Sequence, residues 1–474
     1  MATPLFQIAT PLKPSDVAAL KPALDNLQGN LLKSHGRDRV AHVFITFTGT
    51  LESARKFMSA MSIHATSANE QQKQTDRHTA NPKKNETFTQ VLISAQGYAF
   101  LNVDTSAFDP SFRLGMKQAR TKLSDPPVGA WEGPFKRDIH ALIVLADDRK
   151  DALEDRVDEI RGALDDIAEV HVEIGLAVKN TDGRVIEHFG YIDGRSQPLF
   201  FETDLQKEPT TAKWDPSAGP RLILVKDPQG KSDDDCGTYY VFRKLEQNVR
   251  GFKQREQDLA DALHLTGDAR ELAGALVVGR FENGTPVVLH NAAVASASMG
   301  AGAGGGTSSA PLPPVENDFA YPVDDAPGNK CPFIGHIRKT NPRGDTAAFA
   351  NLDEEKAHRI ARRGITFGEP KGPGEDISKL PTHGVGLLFQ CCNRDLSQQF
   401  EFLQQTWADN VNFLPLGNGI DPVMGQSTGA FPNQHWPASY GSSARVEFGF
   451  NNFVTMKGGE YFFCPSITFL KSLA

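Results

Sequence analysis

Apolar residues recur along the first half of this chain with two distinct periods. Ala41–Phe47 (AHVFITF) is dense in β-branched and aromatic residues and predicts a strand, bounded by Gly49 and followed by a helical run from Leu51 to about Met61. Residues 64–87 are polar and charged and predict an exposed loop. Strand character returns at Phe88–Ser94 and at Ile139–Leu145. Leu153, Val157, Ile160 and Leu164 follow at spacings of 4, 3 and 4 with charges between them, the stripe of an amphipathic helix, before another strand over Val170–Val178. Strand–helix–strand twice over is the grammar of a ferredoxin-like α+β unit.

The second half repeats it. Tyr239–Phe242 predicts a short strand leading into a charged helix over about Leu245–Leu263. Leu276–Val278 and Val287–Leu289 flank Asn283–Gly284, a hairpin signal. Val385–Cys391 predicts a strand, and Asp395 is placed to cap a helix whose Leu396, Phe400, Leu403 and Trp407 share one face. Phe448–Phe453 and Tyr461–Cys464, around Gly458–Gly459, predict a closing β-hairpin. The expected architecture is α+β: two ferredoxin-like domains with antiparallel sheets and peripheral helices. The N-terminal domain spans 1–200, a linker 201–235 and the C-terminal domain 236–474, with a Gly/Ala/Ser loop at about 292–314.

Composition narrows the class. A chain of 474 residues exceeds one ordinary core, in keeping with two domains. The net charge of -8 argues against a nucleic-acid or anionic-membrane surface. The five cysteines, Cys236, Cys331, Cys391, Cys392 and Cys464, form no CxxC pair, which argues against a disulfide framework or zinc site. The N-terminus lacks a basic segment followed by an apolar one, and no stretch approaches the ~18 apolar residues of a membrane span. The expectation is a cytoplasmic protein as written, or a secreted one if the sequence is a processed form. Gly300–Ala–Gly302–Ala–Gly–Gly305 satisfies GxGxxG, but no strand precedes it and prolines follow at 311, 313 and 314, so it reads as low-complexity loop.

The chemistry concentrates in two segments. Cys331–Pro–Phe–Ile–Gly–His336–Ile–Arg338–Lys–Thr–Asn–Pro342–Arg343 sets one histidine among short apolar residues and follows it with arginines at +2 and +7. An imidazole can bind a metal, and guanidiniums can pair with carboxylates at the rim of a flat cofactor; a haem offers both partners. Taken alone, the segment also suits a core histidine beside a basic turn. Gly190–Tyr–Ile–Asp193–Gly194–Arg–Ser–Gln–Pro198 holds an acid between glycines, which let backbone pass close to a flat ligand; alone it is equally a surface turn.

Together these segments resemble the dye-decolorising peroxidase family, haem enzymes with two ferredoxin-like domains of the dimeric α+β barrel type. Leu27–Gln–Gly–Asn30 is similar to that family's opening segment. Arg359–Gly368 is similar to its distal-arginine segment, Leu387–Leu–Phe389 to its distal apolar pair, and Val454–Ser466 to its C-terminal hairpin. The resemblance implies one haem b per chain, held mainly by the C-terminal domain, with His336 as the proximal ligand of the iron. It makes Asp193 the distal acid–base group and Arg362 the distal arginine; the adjacent Arg363 is the rival, and the spacing to Leu387 and Phe389 favours Arg362. Arg343 and Arg338 would bind propionates, and Leu387 and Phe389 would wall the peroxide pocket. Asp421 would accept the other N–H of His336, with Glu401 and Asp409 as competitors.

The implied activity is that of a peroxidase that uses hydrogen peroxide to form a ferryl intermediate and oxidises dyes and phenols by one-electron steps. An aspartate near its unperturbed pKa of about 3.9 stays a usable base in acid, so an acidic optimum is expected. Trp131, Trp214, Trp407, Trp436 and seven tyrosines are candidate surface relays for electrons, each also explained by ordinary packing. Partners are hydrogen peroxide and organic reductants, with no nucleic acid and no membrane; a homo-oligomer is left open. Two alternatives stand beside this reading. One is a haem-handling protein that releases iron or carries porphyrin, with weak peroxidase turnover; the other is a binding protein without haem.

Overall fold

A computed structural model of the chain describes residues 3–81, 86–294, 315–369, 376–414, 418–427, 434–450 and 452–474. In the N-terminal half, β1 (Arg39–Phe47), α1 (Leu51–His64), β2 (Phe88–Ser94), β3 (Ala141–Asp147), α2 (Lys150–Leu164) and β4 (Ala168–Leu176) make one βαββαβ unit. The C-terminal half repeats it with β5 (Cys236–Gln247), α3 (Val249–Ala262), β6 (Ile365–Phe367), β7 (Gly386–Asn393), a helical segment at Phe400–Ala408, and β8 (Val454–Cys464). The expected amphipathic stripe is present: Leu153, Val157, Ile160 and Leu164 are all buried.

The two units share one sheet. Its order is β6-β7-β5-β8-β2-β3-β1-β4, so each half contributes the 4-1-3-2 arrangement of a ferredoxin-like fold. The halves join where β8 pairs antiparallel with β2, Phe462 opposite Ser94 and Phe463 opposite Ile93. At the far ends β6 lies against β4, with the Thr366 hydroxyl donating to the Leu176 carbonyl and accepting from the Val178 N–H. The sheet is thus curled towards a barrel, which covers edges that would otherwise be free to pair with other chains. Across its interior Phe44 of β1 meets Phe242 of β5 at 4.8 Å between ring centroids, although the two strands are not neighbours. The Lys244 ammonium bonds to Glu132 at 2.7 Å and Glu173 at 2.8 Å, tying the halves together electrostatically.

Four local expectations need correction. Residues 64–87 hold a helix, Ala68–Ala80, capped by the Ser67 side chain, which accepts from the Glu70 N–H at 3.1 Å. It lacks an apolar stripe, but Gln71 reaches inward to accept from the Asn30 N–H and donate to the Lys33 and Ser34 carbonyls. Leu276–Val278 ends the helix Glu271–Val278, and Asn283–Gly284 makes only a tight turn with an isolated bridge between Arg280 and Pro286. Gly458–Gly459 is no hairpin turn. It is a register shift inside the continuous strand β8, where Gly458 has φ +152° and a Cβ would lie 2.3 Å from Cβ of Phe135. Arg445–Phe448 pairs instead with Gln434–Pro437. The GxGxxG run and residues 295–314 of the Gly/Ala/Ser loop lie outside the described residues.

Candidate active site

The distal segment follows β4. Asp193 is anchored by its N–H to the Val185 carbonyl, and Gly190 and Gly194 take positive φ on either side of it. Glu187 stiffens the turn by accepting from the N–H groups of Phe189 and Tyr191 and from the Gln247 amide; burial pushes its carboxyl up to about 7. Arg362 lies beside β7 in register with Cys391, so it shares a face with Phe389 and Leu387. Its Nη1 donates to Asp193 Oδ1 at 2.6 Å, and its own N–H is held by the Gln197 side chain at 3.0 Å. Burial would raise the Asp193 carboxyl. The Arg362 charge and the Gly194 N–H outweigh burial and hold it below the usual value, and the His336 imidazole acts in the same direction. Arg363 points elsewhere, bonding the carbonyls of Asn30, Leu31 and Arg362, so the two adjacent arginines divide into one at Asp193 and one stapling the opening segment.

The proximal side is built on a short helix, His336–Thr340. Its seat depends on Gly279, which ends the helix Glu271–Val278 at φ +100°; a side chain there would meet Ile337 at 2.3 Å. His336 Nδ1 is 2.9 Å from Asp421 Oδ2, while Asp421 Oδ1 accepts from the N–H groups of Val423 at 2.8 Å and Met424 at 3.0 Å. Asp421 is fully buried, which alone would raise its carboxyl; the imidazole and the two N–H groups hold it below the usual range. The rival acids are engaged otherwise. Glu401 takes Ser111, Lys122 and Tyr461, and Asp409 takes the Gln404 amide and the Gln426 N–H, with burial pushing it up to about 7. Among the described residues the His336 Nε2 atom has no partner.

The arginines of the histidine segment part company, and the expected propionate role for Arg338 needs correction. Arg338 is fully buried between the rings of Tyr321 and Phe333, at 4.4 and 4.2 Å. All five of its N–H groups are spent on Asp345, Asp325 and the carbonyls of Asp325 and Cys331. It holds the segment together and has no donor left for a propionate. Arg343 is buried too, but it bonds only neutral acceptors: the carbonyls of Asn317 and Phe319, Asn317 Oδ1 and Ser196 Oγ. Ser196 belongs to the distal segment, so Arg343 links the two halves of the site.

Arg280 and Asn317 escaped the sequence reading. Arg280 is buried and donates to the carbonyls of Gly284 and Glu316 and to Asn317 Oδ1, which also accepts from Ser196 and Arg343. Burial, with Arg343 and Arg195 close by, lowers the Arg280 guanidinium to about 9; burial lowers that of Arg343 to about 10. Neither has a carboxylate within ion-pair distance among the described residues, whereas Arg195 is taken by Glu208 at 2.7 Å. No local pattern marks Arg280; only the loop Val315–Phe319, folded back over it, makes it part of the site.

Leu387 and Phe389 are half-buried on β7, on the face of Arg362. All four tryptophans are buried, which fits packing for each. The five cysteines are free and buried, and no helix among the described residues is long and apolar enough to cross a membrane.

Topology assigns the chain to the dimeric α+β barrel class. Residues 26–178 match the sequence model of the DyP dimeric alpha+beta barrel domain. The chain is 43% identical to the multifunctional dye peroxidase DyP2 of Amycolatopsis sp. over 466 residues, 95% of this chain and 96% of that protein. A solved structure of DyP2 from Amycolatopsis sp. matches with a TM-score of 0.90 at 40% identity, covering 99% of this chain and 100% of that one. The DyP-type peroxidase of Anabaena sp. matches at 0.88 and 38% identity, covering 98% and 97%. A dye-decolorizing peroxidase of Auricularia auricula-judae is 30% identical over 403 residues, 80% of this chain and 74% of that protein. This chain belongs to the dye-decolorising peroxidase family and is a peroxidase, an oxidoreductase that consumes hydrogen peroxide together with a reductant.

Proposed function

We propose that the chain binds one haem b, that His336 would hold its iron, and that Asp193 and Arg362 form the peroxide-activating pair. The observation that carries this reading is the His336–Asp421 contact. Asp421 accepts the Nδ1 proton, leaving the Nε2 lone pair for a metal and making the imidazole a stronger donor. The donor set also fits the rest of the cofactor, since Arg343 and Arg280 are buried guanidiniums without carboxylate partners among the described residues, suited to anionic propionates. Of the groups named, only Asp193 comes from the N-terminal half, so the C-terminal half does most of the holding.

A haem held here would supply the redox chemistry, giving two electrons to peroxide and regaining them one at a time from the reductant. The chain's own groups manage protons and charge. Asp193, held ionised by Arg362, takes the proton from one peroxide oxygen and returns it to the other, which leaves as water. The Arg362 guanidinium stabilises the negative charge developing on the departing oxygen. Leu387 and Phe389 exclude bulk water and bulky molecules from that pocket. Dyes and phenols are accordingly proposed to deliver electrons from outside it, with an acidic optimum set by Asp193.

Stopped-flow spectra of the Soret band after one equivalent of peroxide test the assignment. Asp193→Asn and Arg362→Leu should each slow the peroxide-driven change by at least about a hundredfold. Wild-type rates in both variants overturn it, and a purified chain without a Soret band overturns haem binding itself.

A further inference from the structure

Lys339 lies three residues past His336 and is fully buried. Its ammonium donates to the carbonyls of Asn410 and Gly419, both at 2.6 Å. Among the described residues no carboxylate lies within ion-pair distance of it. A lysine almost never occupies such a place unless paired, because burying the charge is costly. Burial lowers its pKa to about 8, against the attraction of Asp421 and Asp409.

The two carbonyls bracket the segment that delivers Asp421. Asn410 lies two residues past Ala408, the last residue of the Phe400–Ala408 helical segment, whose carbonyl accepts the Asp421 N–H at 2.8 Å, and Gly419 lies two residues before Asp421. The His336 helix has only five residues and so few internal hydrogen bonds to fix its orientation. Histidine and aspartate come from segments 85 residues apart. Lys339 is a direct hydrogen-bonded link from that helix to two backbone points beside Asp421, Gly419 just before it and Asn410 near the Ala408 carbonyl that holds its N–H, and charge-assisted bonds of this length are the strong kind.

We propose that Lys339 is a positioning residue for His336, clamping the Asp421 segment to the His336 helix so that the carboxylate stays aligned with Nδ1. This rests on the haem reading above. Without the clamp the His336–Asp421 hydrogen bond is populated only part of the time, and the imidazole becomes a weaker donor to a metal.

The test uses the haem-loaded protein in its ferrous form and the iron–histidine stretching band in resonance Raman spectra. Lys339→Met should move that band to lower frequency or split it, and should speed haem transfer to apomyoglobin by about tenfold. Lys339→Gln, which keeps a neutral donor in a less disruptive side chain, should fall between Met and wild type. In an Asp421→Asn background, Lys339→Met should move the band no further, because the residue acts through Asp421. An unchanged or upward-shifted band in folded Lys339→Met or Lys339→Gln, or an additive shift in the double variant, overturns the proposal. Absence of any iron–histidine band in the wild type would instead overturn the haem assignment.

Discussion

Arg338 and Arg343 stand five residues apart in one motif, yet their surroundings predict opposite responses to the same substitution. Replacing Arg338 by Met leaves the buried carboxylates of Asp345 and Asp325 without their cation, and it also removes the donor to the Cys331 carbonyl. Breaking a buried ion pair from one side costs about 3–5 kcal/mol. Replacing Arg343 by Met strands only neutral acceptors on Asn317, Phe319 and Ser196, at about 1–3 kcal/mol for an unsatisfied buried group. Removing a buried cation that has no carboxylate partner among the described residues offsets part of that. The apoprotein should therefore lose roughly 2 kcal/mol more stability from Arg338→Met than from Arg343→Met. Haem affinity should respond in the reverse order on the proposed reading, since of these two arginines it is Arg343 that has no carboxylate partner among the described residues and would meet a propionate. Urea unfolding of the two apoproteins, paired with haem titration of each, separates the effects through linkage. Equal apoprotein losses, or a larger fall in haem affinity for Arg338→Met, would refute the division of roles.

Further outcomes follow from the same geometry. Asp421→Asn should weaken haem retention by about 10–100-fold, measured as transfer to apomyoglobin, and unchanged retention would count against the proximal pair. The Asp193 carboxyl is lowered in the folded protein, so its contribution to stability is present above its unfolded pKa of about 3.9 and is lost as pH falls through the folded value. The basic form should likewise persist into acid, and Arg362→Leu should shift the acid limb of the peroxide-reaction profile to higher pH; an unmoved limb would speak against Asp193 as proton carrier. Gly458→Ala should destabilise the chain by about 1–3 kcal/mol through its positive φ and the Phe135 contact, and a wild-type melting temperature would contradict that.

Periodicity in the sequence reached the secondary structure wherever one face of an element is apolar. Leu153–Leu164 and Phe88–Ser94 came through because burial leaves its 3.6-residue or strand-length mark directly on the chain. Ala68–Ala80 did not, since its stability comes from a cap and from polar groups such as Gln71 bonded to backbone elsewhere. Glu271–Val278 is apolar all round, and a short run of that kind fits strand and helix equally well. Gly458–Gly459 misled because glycine serves a register shift as readily as a turn.

At the site, sequence alone marked His336, Asp193 and Arg362 as members of one recognisable pattern. Tertiary structure decided the pairings. It chose Asp421 over Glu401 and Asp409 as the partner of His336, gave Arg338 to Asp345 and Asp325, and drew in Arg280 and Asn317. A side chain's type is written in the chain, but whether its donors are spent or free depends on what folds against it, and those neighbours lie tens to hundreds of residues away.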